Sequence, residues 1–132
     1  MRLKYLGLIC LSLIWQANAV VTSGISYHGR LLKADGSAVS SSAVQLQVQI
    51  RSSGNENCLL YSEIQTKDLS TSDGLFSLTL NDGSGVRNDS SGLTMPQVLA
   101  NQGTKTLPGG ACSVGTTYTP TSSDGRRTYL YT

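Results

Sequence analysis

The chain has 132 residues, with ten Lys and Arg against eight Asp and Glu and a formal net charge of +2. Two of the cations, Arg2 and Lys4, stand at the extreme N-terminus, so from position 20 onward eight cations meet eight anions. A neutral chain of this size exerts no general electrostatic pull on nucleic acid or anionic lipid and has room for one domain, so neither polymer nor membrane surface is expected as a partner.

Residues 1–19 read as a signal peptide. Arg2 and Lys4 form the positive start, Tyr5 to Ile14 the apolar stretch, and Ala17-Asn18-Ala19 a small-x-small cleavage site, with the cut between Ala19 and Val20. The apolar stretch is shorter than the roughly 20 residues that span a bilayer, so no membrane insertion is expected after cleavage. Ile9 precedes Cys10 where a lipoprotein signal needs a small residue. The expected location is therefore periplasmic, outer-surface or extracellular. Residues 20–132 are expected to form a single domain. Of three cysteines, Cys10 leaves with the leader, and Cys58 and Cys112 are expected to pair in an oxidising compartment. A bridge closing so long a loop is worth about 4 kcal/mol in the chain-entropy treatment.

Strand signals dominate the chain past the leader. Ile25 to Leu32 reads as a first strand and Ala34 to Ser37 as a turn, with Gly36 free to take positive φ. Val44, Leu46, Val48 and Ile50 alternate with Gln45, Gln47, Gln49 and Arg51, the pattern of an antiparallel strand with one wet face. Cys58 to Thr66 is a third strand whose alternation is blurred by Leu59 and Tyr61. Asp73-Gly74 is a second turn, and Phe76, Leu78 and Leu80 mark a fourth strand. Residues 93–102 are the one helical candidate, with Thr94 as cap, Pro96 in the first turn and Gly103 as stop. Residues 104–124 are rich in Gly, Thr and Ser, and Arg127 to Thr132 reads as a last strand. Short strands separated by turns predict an all-β fold, a small antiparallel β-sandwich with one short helix. Its expected core is Ile25, Tyr27, Leu31, Val44, Leu46, Val48, Ile50, Leu60, Ile64, Phe76, Leu78 and Leu80.

No cluster names a reaction, and no enzyme activity, cofactor or metal is expected. The lone histidine past the leader, His28, points away from Tyr27 toward the wet face. Asn81 to Gly85 and Asn88-Asp89 lack the alternating acidic ligands of a calcium loop. Glu56 and Glu63 fall on opposite sides of the third strand, unsuited to paired-carboxylate hydrolysis. Gly83-x-Gly85 is not followed by a suitable helix start for phosphate binding. Arg126-Arg127 reads as a solvated edge, and no aromatic platform for sugars or bases is evident.

Ile25-Ser26-Tyr27-x-Gly29-Arg30-Leu31, Asp35-Gly36-x-x-Val39, Gln49-Ile50-Arg51, Leu60-Tyr61-Ser62-Glu63 and Gly74 to Leu80 together resemble a module behind the signal peptide of many bacterial surface proteins. Asn57 to Tyr61, Leu99-Ala100-Asn101-x-Gly103, Cys112, Gly115 to Pro120 and Asp124 to Arg127 extend the resemblance to tail-fibre-like surface proteins of predatory Gram-negative bacteria. The resemblance implies a prealbumin- or immunoglobulin-like sandwich at the head of a secreted or surface-attached adhesion fibre, often trimeric. His28 stands where that family usually has Gln. Its members continue for hundreds of residues into shaft and tip, whereas this sequence stops at Thr132, so their adhesive specificity does not carry over. The expected partners are further copies of the chain or other fibre proteins, engaged by strand addition at open sheet edges. The alternative is a stand-alone carbohydrate- or peptide-binding sandwich using loops 81–92 and 103–125.

Overall fold

The computed structural model describes residues 24–132; the expected signal peptide and its Ala19–Val20 cut lie outside them. The fold is all-β with one short helix, in the order β1 (Ser26–Arg30), β2 (Val44–Ser52), β3 (Leu59–Lys67), β4 (Leu75–Thr79), β5 (Val86–Arg87), α1 (Met95–Leu99), β6 (Lys105–Thr106), β7 (Thr117–Tyr118) and β8 (Arg126–Tyr131). Three antiparallel sheets result: β5-β3-β2-β8, the pair β1-β4, and the short pair β6-β7.

β2 is the backbone of the larger sheet because its alternation is unbroken. Leu46, Val48 and Ile50 are fully buried while the glutamines and Arg51 turn outward. Each such aliphatic is worth roughly 1.5–3 kcal/mol when taken out of water. Facing them is the β1-β4 layer. Phe76 and Leu78 pack inward, and the Phe76 ring covers Gly29 so closely that a Cβ there would lie 2.7 Å from it. The Tyr27 hydroxyl donates to the Thr128 hydroxyl (3.3 Å), which sets β1 over β8. Gln65 Nε2 donates to the Thr79 carbonyl (2.8 Å), which sets β4 over β3.

β3 departs from the expected pattern at one point. Ile50 pairs with Tyr61 but Arg51 pairs with Leu59, so Leu60 is an extra residue in a β-bulge. The bulge lets Leu60 itself, Cys58 before it and Tyr61 after it all reach the core. It also reverses the phase beyond it. Ile64, expected in the core, instead stands across from Gln47 on the outer face, and Glu63 and Gln65 turn inward across from Val48 and Leu46.

The helix is shorter than residues 93–102. Gln97 reaches back to accept the Thr94 N–H (2.8 Å), closing the first turn. Ala100 is already extended (ψ 129°), because the carbonyls of Val98 and Ala100 are taken by Arg126 and Lys105 rather than by a continuing helix. Met95 and Val98 of the helix, with Leu107 and Tyr118 from the Gly-, Thr- and Ser-rich segment after it, complete the core and were not among its expected members. Leu69, between the third strand and the Asp73-Gly74 turn and outside the expected core, is buried as well, its N–H donating to the Ser41 carbonyl (2.7 Å).

One tight turn and one bridge set the direction of the chain. Asp73 (φ 54°) and Gly74 (φ 76°) are consecutive left-handed residues spanned by the Leu75 N–H to Ser72 carbonyl bond (3.0 Å), a type I′ turn. Gly74 also abuts Leu31, whose carbonyl would lie 2.4 Å from any Cβ placed there. Arg30 fastens this turn through an ion pair with Asp73 and a bond to its carbonyl (2.9 Å). Cys58 and Cys112 are joined by a disulfide. Backbone bonds flank it: Leu59 N–H to the Ala111 carbonyl (2.7 Å) and Ser113 N–H to the Glu56 carbonyl (2.7 Å).

Candidate functional site

The sequence-predicted site residues do not converge. His28 is exposed on β1 opposite Ser77. Glu56 is exposed in the loop before β3, while Glu63 is only 3% exposed. Asp82 is occupied by the Ser84 N–H and hydroxyl, and Asp89 by Arg87, Ser91 and the Ser62 N–H. Among the described residues no group of three or more His, Cys, Asp or Glu could hold a metal ion.

Glu63 is the centre of a buried polar cluster that spacing on an ideal strand does not reveal. Oε2 accepts from the Tyr61 hydroxyl and from the Asn81 N–H (2.9 Å), and Oε1 accepts from Gln65 (2.6 Å). Gly85 closes over it, for a Cβ at that position would lie 2.2 Å from Oε1. Burial, and then the bond to Glu63, push the Tyr61 phenol far above its ordinary value. Arg87 lies over the Tyr61 ring at 4.7 Å and pairs with Asp89 (2.7 Å). Burial raises the Asp89 carboxyl, but bonds from Arg87, Ser91 and Ser62 outweigh it and hold the group low. The donors that fill both Glu63 oxygens come from the protein itself, so the cluster braces β3 against the 81–91 loop.

A second cluster fixes the other end of the sheet. Arg126 is not a solvated edge residue. Its Nε donates to the Val98 carbonyl (2.7 Å), Nη2 to the Ala100 carbonyl (3.0 Å) and Nη1 to the Tyr118 hydroxyl (3.0 Å). Lys105 is buried with Nζ on the carbonyls of Ala100 (3.0 Å) and Gln102 (3.1 Å); burial, then the charge of Arg126, lower its pKa. Both cations satisfy carbonyls left open where α1 ends. Depressions of about 320 Å³ beside α1 and about 420 Å³ beside Asp89 are open, and Lys105 and Asp89 in their walls are already engaged.

What remains open is β8. It pairs with β2 over six residues without a register shift, and among the described residues its other edge pairs with no strand. β1, which lies over it, pairs among the described residues with β4 on one side only, so in both layers an unpaired edge falls on the same flank. Leu130 faces inward beside Val48, yet Leu130 is 42% exposed where Val48 is 1%. The two-stranded inner layer does not reach far enough to cover it. On the outer face Tyr129 and Tyr131 have parallel rings with centroids 6.4 Å apart, across from Gln49 and Gln47, with Arg127 beside them. This aromatic pair corrects the expectation of no platform; the alternation in Arg127-Thr128-Tyr129-Leu130-Tyr131 was the available signal.

A family model described as Domain of unknown function (DUF8740) matches residues 26–120, which take in β1 to β7 and both paired cysteines. No curated protein and no solved structure matches the chain.

Proposed function

The chain belongs to the DUF8740 family; we propose that it is a non-enzymatic, exported structural module, the base domain of a cell-surface fibre, which presents open strand edges to other chains. One observation carries the reading. The last strand leaves an edge and an inward-facing leucine open, and Thr128 to Tyr131 lack the proline, charge or bulge by which sheet edges are ordinarily protected. Strand addition uses such an edge directly, since backbone groups supply affinity and alternate side chains supply selectivity. The commitment of Glu63, Asp89 and Lys105 to internal partners favours this reading over a ligand site in the loops. The resemblance to tail-fibre-like modules and the leader at residues 1–19 support the export.

The test is made on intact cells producing the full chain. External protease should remove it, and cross-linking should recover it in a complex larger than one copy. Retention inside the cell, or a strict monomer after cross-linking, counts against the proposal.

A further inference from the structure

We propose that β8 pairs antiparallel with the β8 of a second copy, centred on Tyr129, to give a two-fold dimer whose large sheets join into eight strands. The inference rests on the reading of β8 as an assembly edge and adds its partner, direction and register.

The direction is set by charge. Arg126 and Arg127 are the charged residues of β8 and lie together at its start. Parallel pairing would set these arginines beside their own copies. Antiparallel pairing moves them to opposite ends, about 14 Å apart along the strand at ~3.4 Å per residue. That is beyond the Debye length of about 8 Å at physiological salt.

The register is set by the backbone and the side chains. Alternate residues of an edge strand turn N–H and C=O outward, so two identical strands match only where residues of like parity face each other. The centre must then fall on a residue. Centring on Thr128 sets Arg126 against Leu130, although its guanidinium is committed to α1. Centring on Leu130 sets Tyr129 against Tyr131 and leaves Arg127 directly across from neither ring. Centring on Tyr129 sets Arg127 against the Tyr131 ring of the second copy at both ends, a cation–aromatic pairing. It also stacks Tyr129 on its own copy and gives the exposed Leu130 the Thr128 of the second copy as neighbour. The two-fold pairing is isologous, so it closes and leaves no further β8 edge.

The experiment uses the whole chain with its native disulfide. Under mild oxidation Tyr129→Cys should form a covalent dimer by itself. Tyr131→Cys should not, but should link to Arg127→Cys when the two chains are mixed. Sedimentation equilibrium of the unaltered chain should show a dimer. Tyr129→Lys, which sets two ammonium groups together, should weaken it at least tenfold with the circular dichroism unchanged. A monomer at all concentrations up to about 100 μM, well above the micromolar weak end of specific interfaces, or self-linking by Tyr131→Cys alone, overturns the pairing. An assembly that forms without the Tyr129→Cys link, through the β1 edge for example, also overturns it while leaving the surface-module reading intact; that reading fails instead on retention inside the cell or on the absence of any assembly.

Discussion

Glu63 shows how much one side chain can organise when it is taken out of water. Three donors converge on it from Tyr61, Gln65 and the Asn81 backbone, and Arg87 supplies a cation nearby across the Tyr61 ring. Truncation to Ala strands those donors in the interior, and each unsatisfied group costs about 1–3 kcal/mol. Glu63→Ala should therefore lower the unfolding free energy by about 3 kcal/mol in urea titration. Glu63→Gln should cost only about 1 kcal/mol, because one amide oxygen still accepts from Tyr61 and Asn81. The new NH₂ group faces Gln65 Nε2, which the Thr79 carbonyl holds in place, so one hydrogen bond is lost. Equal losses in the two variants would contradict the hydrogen-bond account and point to packing alone.

At the scale of elements, four loops use one device. Asp35-Ser37, Asp68-Ser70, Asp82-Ser84 and Asp89-Ser91 each place a carboxylate Oδ1 on both the N–H and the hydroxyl of the serine two residues on. In the first three the serine hydroxyl, then its N–H, holds the carboxyl below its ordinary value; Asp89 is held low against the effect of its burial. A depressed folded-state pKa stabilises the fold above the unfolded value of 3.8, and that contribution is lost as pH falls below it. The melting temperature should thus hold between pH 7 and pH 5 and fall below pH 4 in calorimetry, and a flat profile to pH 2 would show that these turns contribute nothing. The turns were readable as Asp and Ser signals, and β2 was readable because its period of two never breaks. β3 was not, since a single bulged residue at Leu60 exchanges the inner and outer sets, hiding Glu63 and turning Ile64 to the outer face, where it is half-buried. β6 and β7, with two residues each, are too short to show any period, so Leu107 and Tyr118 escaped notice. Tyr129 and Tyr131 were visible as a strand, but their openness depends on how far the opposite layer extends, which no local pattern states.

The whole molecule is a four-stranded sheet under a two-stranded layer, with the 105–118 hairpin region filling one side of the core. The Cys58–Cys112 bridge, spanning a sequence separation of 54, ties that region to the start of β3. Replacing both by Ala should cost about 3–4 kcal/mol by the chain-entropy treatment, measured as a shift of the urea midpoint. A shift that also lowers the denaturant slope would mean that residues 103–125 detach before the sheets do. The same bridge governs what happens if the module is pulled. A chain anchored beyond β1 and beyond β8 and drawn taut could pay out only the segments outside the loop. At ~3.4 Å per residue, about 180 Å of contour length, half of what the described residues hold, stays locked behind the two sulfurs, so under traction the module extends in two stages, the second only after a reductant opens the bridge.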